Sequence, residues 1–361
     1  MSESDTAVAV PPVKKRYEWI DNSRVIAAFL IMYVHLPLAL PQENFFNTAL
    51  VDYSLHHTTY SGRVALFLML SGYLYSRNAA WGKTLDRFFW LLVPFVLWIV
   101  IITAVYWALG MPVSHNPFEV FGIGAVFHPS LVISSAGPTW PTVDVPAWYM
   151  RDMLPLTLLT PVFLRFRRFL PLVLFFFALL YTGDKYMNPR LILAPSTCFF
   201  FLVGICLSRF RFEDGYRLFT DKLTPVVIAA FLVALGICVW HTKFNGPGIS
   251  ITLLGMLTGA MMIAHCGVMI EKHFPRLSKR LAPLGPASFL VFMVHYPIFE
   301  IVKYFCPALT RSLWVVALPI PTFIVIVTLF LLMKRYTPWL MPYLGHMKIA
   351  KKPQQQPRRA A

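Results

Sequence analysis

Apolar residues in this chain come in runs of about 20, the length that carries an α-helix across a bilayer. Polar residues collect in the short breaks between them. The runs predict helices at roughly 24–40, 60–77, 88–109, 146–164, 169–182, 191–208, 224–241, 248–270, 287–306 and 313–333. Asp152 and Pro155 interrupt the fourth, and the fifth is short. The last run, Leu313 to Met333, contains no charged residue. There is no internal repeat. The expected fold is all-α: a polytopic membrane helical bundle with about ten transmembrane helices.

Composition agrees with that pattern. Hydrophobic residues make up 57% of the 361 and charged residues 13%, where a soluble domain is nearer half and a quarter. A net charge of +16 would suggest nucleic acid in a soluble protein. Here it serves topology. With the N-terminus in the cytoplasm, cytoplasmic segments hold 24 of the 32 Lys and Arg, and the stretch from Gly110 to Val145 holds none. That asymmetry is the positive-inside signature. Ten helices with both termini in the cytoplasm satisfy it; nine or eleven would put the basic tail outside. The reading divides the chain into a cytoplasmic tail (1–23), a transmembrane domain (24–335) and a second cytoplasmic tail (336–361). The last is rich in Lys, Gln, Pro and Arg from Lys348 onward and is expected to be disordered. Lys14-Lys15-Arg16 leads straight into the first span with no cleavage site. The segment from Met111 to Val145, uncharged apart from Glu119 and Asp144, is expected to fold back onto the helices.

Ionisable residues inside apolar runs carry the most information, because lipid penalises them. The first run opens Asp21-Asn22-Ser23-Arg24 and reaches His35. Eleven residues at 100° each place Arg24 and His35 within about 20° of one another on an α-helix, roughly 16 Å apart along the axis. With Arg24 at the cytoplasmic surface, His35 is near mid-membrane. A phosphate-bearing donor can dock at the basic end, and a histidine further in can take a proton from an acceptor hydroxyl. The blander readings are a positive-inside flank for Arg24 and a polar residue satisfied between helices for His35.

These residues resemble the acyltransferase 3 family of membrane O-acyltransferases. Asp-x-x-Arg followed by ten residues and His, after a Trp-Ile-Asp start, is similar to its first helix. Phe67-Leu68-Met69-Leu70-Ser71-Gly72-Tyr73, Pro146-Ala147-Trp148-Tyr149-Met150, and Leu284-Gly285-Pro286-Ala287-Ser288 with His295-Tyr296-Pro297 resemble three further segments, in family order. The resemblance implies a standalone, multi-pass enzyme of the bacterial inner membrane. It implies acyl transfer, commonly of acetyl, from a cytoplasmic thioester such as acetyl-CoA to a hydroxyl of a glycan, a lipid-linked sugar or another hydroxylated molecule. No cofactor is permanently bound. His35 and Arg24 become the catalytic residues, Arg87 and Lys83 the donor-binding ones. Asp21, Ser71, Gly72, Trp148, Ser288 and His295 shape the site. The sequence departs from the family where an Arg-x-x-Arg pair is expected and Arg87-Phe88-Phe89-Trp90 stands instead. Lys83, one turn earlier, supplies charge there but not a guanidinium's two-pronged grip.

Several residues keep a plain structural reading beside the functional one. Gly72 permits close helix packing. Ser288 and His295, seven residues apart, share a helix face and suit a structural hydrogen-bonded pair as well as a site. Glu300 and Lys303 are i, i+3 neighbours that neutralise each other. Trp148 suits an interfacial belt or a sugar platform. Asp144, His115 and His128 are in the outer segment. The five cysteines are spaced for packing, not for a metal or a CxxC pair. No Walker loop, dinucleotide fingerprint or HExxH occurs. The competing reading is a proton-coupled secondary transporter relaying through His35, Glu300 and His295, which the absence of repeats disfavours.

Overall fold

Each of the ten apolar runs folds as a helix in the computed structural model, which describes residues 17–36, 62–77, 80–111, 145–182, 195–210, 219–245, 249–310 and 313–345. The long helices are α1 (Glu18–Met32), α2 (Arg63–Ser76), α3 (Trp81–Ala108), α4 (Trp148–Arg165), α5 (Leu170–Thr182), α6 (Pro195–Leu207), α7 (Thr224–Asn245), α8 (Ile249–His273), α10 (Ala287–Phe305) and α12 (Pro319–Tyr336). Two short ones, α9 (Pro275–Leu281) and α11 (Pro307–Thr310), join them. No strand occurs among the described residues. Both chain ends, the outer segment 112–144 and its Asp144, His115 and His128 fall outside the described residues.

Among the described residues, four helices are long and apolar enough to cross a membrane: Trp81–Ala108, Leu253–His273, Ala287–Phe305 and Trp314–Tyr336. α2 and α6 are apolar but shorter. α1 starts at Glu18, six residues before its expected boundary, with Glu18 and Asp21 in the first turn, where carboxylates complement the helix dipole. Leu313–Ala317 forms a 3-10 turn ahead of α12, which begins at Pro319. Proline suits a helix start because its missing N–H has no partner there. Pro155 and Asp152 do not break α4. Asp152 is buried yet paired, 2.8 Å from Arg151 Nη2 and accepting from Thr197 Oγ1 at 3.2 Å.

α1 sits at the centre, packed between α8, α10 and α2. α2 packs closely on α6, α3 on α4, α7 on α8, and α12 on α10. Small residues allow these approaches, as in other membrane bundles. A Cβ at Gly72 would fall on the Phe201 carbonyl oxygen of α6, and one at Gly204 on the Met69 carbonyl oxygen of α2. Gly62, with φ of 101°, lets the chain enter α2 against the backbone of Gly259 and Ala260. Two apolar cores result. Ile31 of α1, Ile99 of α3, Met293 of α10 and Phe330 of α12 meet in one. Ala27 of α1, Leu68 of α2, Phe201 of α6 and Val268 of α8 meet in the other. α1 belongs to both, so whatever it carries is fixed from several sides.

The N-terminal end of α1 is held by side chains. Trp19 N–H donates to Glu271 Oε2 at 2.7 Å, Asn22 Nδ2 to Ser278 Oγ at 2.9 Å, and Ser278 Oγ to Glu18 Oε2 at 2.6 Å. A Cβ at Gly285 would collide with the Asp21 side chain. Asp21, expected to shape the site, thus helps seat α1 on the turn that precedes α10, 3.8 Å from Arg24.

Candidate active site

The α-helix of α1 ends at Met32 and tightens into a 3-10 turn over Tyr33–His35. The last turn has an outside partner, because the buried Arg63 guanidinium donates to the Leu30 carbonyl. Three residues at 120° in place of 100° rotate His35 further, to roughly 80° from Arg24 around the axis. The two therefore do not share one face as an unbroken α-helix would have them. His35 turns toward α10. Its ring lies 5.3 Å from the His295 ring and 5.5 Å, edge-on, from that of Tyr296.

His295 is fully buried. Its Nδ1 lies 2.7 Å from the Val291 carbonyl oxygen, one turn back on α10. Phe292 and Phe299 pack on the ring at 6.5 and 5.9 Å, and Nε2 has no hydrogen-bond partner among the described residues. Ser288 is also buried, with its hydroxyl unpartnered among the described residues. The two do not bond to each other. Seven residues on an α-helix separate them by about 10 Å along the axis.

A second group gathers between α2, α3 and α4. Ser71 Oγ and Tyr149 Oη are 3.0 Å apart. Tyr75, one turn beyond Ser71, has the Arg87 guanidinium 5.0 Å from its ring centre, while Arg87 Nη1 donates to the Tyr75 carbonyl at 2.9 Å. Arg87 thus contacts both the ring and the backbone of Tyr75. Tyr149 joins the two groups: its ring meets Phe292 at 5.2 Å, and Phe292 is one turn before His295. A succession of contacts runs from Ser71 through Tyr149 and Phe292 to the two histidines.

The remaining expected residues are more peripheral. Lys83 is exposed on the first turn of α3. Trp148 is half-buried, edge-on to Tyr149. Gly72 is accounted for by the α2–α6 packing. Lys303 Nζ and Glu300 Oε2 form the expected pair at 3.4 Å. Sequence reasoning missed Tyr75, Tyr149 and Arg63. Tyr149 stood inside a quoted motif in which only the tryptophan was weighed. Arg63 carried a signal, a lone cation opening an apolar run, that is informative under the same penalty that singled out His35.

This arrangement is that of an integral membrane protein with a histidine pair inside a helical bundle. A family model for an acyltransferase domain matches residues 17–333. The chain therefore belongs to the acyltransferase 3 family. No curated protein and no solved structure matches it.

Proposed function

We propose that the protein is a membrane O-acetyltransferase of ten spans, with both termini on the cytoplasmic side of a bacterial inner membrane. It takes acetyl from cytoplasmic acetyl-CoA and delivers it to a hydroxyl of a glycan or lipid-linked sugar. The observation that carries the reading is the His35–His295 ring pair, 5.3 Å apart, in a chain of an acyltransferase family.

In this reading the phosphates of the donor meet Arg87, Arg24 and the exposed Lys83. The Arg87 guanidinium, held on the Tyr75 ring, suits a phosphorylated ligand, since guanidinium groups grip phosphate oxygens in pairs. The thin pantetheine arm follows Tyr75, Ser71 and Tyr149 toward His35. His35 takes the proton of the acceptor hydroxyl as its oxygen attacks the thioester carbonyl. The C–S bond then breaks, and the proton returns to the sulfur as the free thiol leaves. Ser288, Asp21, Gly72 and Trp148 act by holding the helices that carry these groups.

Purified protein in detergent should release free thiol from acetyl-CoA when a hydroxylated sugar acceptor is present. Mass spectrometry of surface glycans should show acetyl mass shifts that vanish when the gene is deleted. Proton-coupled uptake into vesicles, with no thiol release and no acetyl shift, would replace the enzyme by a transporter. For topology, reporter fusions at Ser134 and Glu213 should report opposite sides of the membrane. If both report the cytoplasm, the ten-span count fails.

A further inference from the structure

We propose that His295 is the positioning partner of His35, accepting through Nε2 the hydrogen bond that orients the His35 imidazole for proton removal. The inference rests on the acyltransferase reading above and adds a residue with a defined role to it.

The tautomer of His295 follows from its partner. A carbonyl oxygen only accepts, so the contact to Val291 at 2.7 Å requires the proton on Nδ1. A neutral imidazole has one N–H, which leaves Nε2 as an acceptor with its lone pair free. That atom is buried and, among the described residues, unpartnered. A buried acceptor without a donor is unfavourable, and native folds rarely keep one without a use. Of the three rings packed against His295, Phe292 and Phe299 offer no donor, and His35 does. The Tyr296 ring stands edge-on to His35, which confines the imidazole on the adjoining side. Catalytic hydrogen bonds are often long before substrate arrives and tighten in the complex, so a donor arriving at Nε2 upon acceptor binding fits the observed separation.

The consequence is a histidine–histidine dyad. One nitrogen of His35 donates to His295 Nε2, and the other is left with a lone pair. As the acceptor oxygen bonds to the acetyl carbon, its proton moves to that free nitrogen. His35 becomes an imidazolium, and its bond to His295 becomes charge-assisted and stronger. Strengthening as charge develops is what makes a contact catalytic instead of merely binding. When the C–S bond breaks, His35 passes the proton to the thiolate and returns to its neutral state. His295 is never protonated at Nε2 and never touches the acetyl group.

Two amide replacements separate this role from a structural one. In His295→Asn the amide nitrogen falls near Nδ1, so the bond to Val291 survives and the acceptor is lost. In His295→Gln the amide oxygen falls near Nε2, so the acceptor survives. His295→Asn should lower kcat about 10- to 100-fold, the size of one hydrogen bond to a charged group, with the thioester KM little changed. His295→Gln should recover most of the loss. In a His35→Ala background neither replacement should lower the rate further. A structural tie to Val291 predicts the reverse order, Asn active and Gln impaired, and that order would overturn the proposal. A second measurement needs no variant: nitrogen NMR of histidine-labelled wild-type protein should show Nδ1 of His295 protonated and Nε2 bare. A protonated Nε2 would also overturn it. A wild-type protein that transfers no acetyl overturns the reaction and the dyad together, whereas an active wild type with an unimpaired His295→Asn overturns the dyad alone.

Discussion

α1, of 15 residues, and α12, of 18, are of similar length, yet they meet their surroundings in opposite ways. α12 buries one stripe, Thr322, Ile326 and Phe330, and exposes Ile320, Ile324, Val325 and Leu329 on its other faces. α1 buries Asp21, Asn22 and Ser23 alongside Val25, Ala27 and Ile31. The peripheral helix turns hydrocarbon outward because lipid, not water, is the solvent expected there. The central helix keeps its polar groups inward, each with a reason: Asn22 on Ser278, Ser23 on the Trp19 carbonyl at 2.7 Å, His35 beside His295. In this bundle the inward polar residues are the informative ones, and the outward apolar ones only set the span.

Substitutions that confuse those two roles test the contrast. The largest effect is expected at the α2–α6 crossing. Gly72→Leu drives a side chain into the Phe201 carbonyl, and overpacking of this kind costs about 1–3 kcal/mol or more. Thermal unfolding in detergent should show a clear fall in Tm; an unchanged Tm would mean the two helices are not in contact. Next comes the cationic end. Arg87→Ala should raise the KM for acetyl-CoA about tenfold, the equivalent of one charge-assisted hydrogen bond, with kcat little changed. The difference should narrow as added salt screens the phosphates. An unaltered KM in folded protein would place the donor elsewhere. The smallest effect is expected at the exposed end of α10. Lys303 and Glu300 form a surface pair, worth at most about 1 kcal/mol. Glu300→Gln should leave both Tm and turnover near wild type. Loss of activity there would favour the proton-relay reading.

The sequence made the helices legible because apolar runs of bilayer length are hard to mistake. All ten expected positions hold a helix, although only four meet the length and apolarity of a span among the described residues. Boundaries were less legible. Glu18 and Trp19 fall in the expected tail of residues 1–23, and the bonds from Trp19 to Glu271 and from Glu18 to Ser278 that extend α1 backward come from residues about 250 positions away. The angle between Arg24 and His35 was misjudged for a related reason. Nothing local announces the 3-10 turn at Tyr33–His35, which the Arg63 guanidinium adjoins from α2. Candidate residues stood out in the sequence wherever a charge stood in an apolar run, as with His35 and Arg24. Tyr75 and Tyr149 did not, since a tyrosine in a membrane helix is unremarkable until Arg87 is found on the ring of one and Ser71 beside the hydroxyl of the other.

The central claim is that acyl transfer takes place at His35, where the central helix ends against α10. The most direct test is the turnover of purified His35→Ala with acetyl-CoA and a hydroxylated acceptor, beside its KM for the thioester. Removing a positioned base costs about 10²–10⁴-fold in rate, so turnover should fall by at least that lower bound while the KM and Tm stay close to wild type. A variant that folds and keeps more than about a tenth of wild-type turnover, a smaller loss than any such base accounts for, would contradict the account.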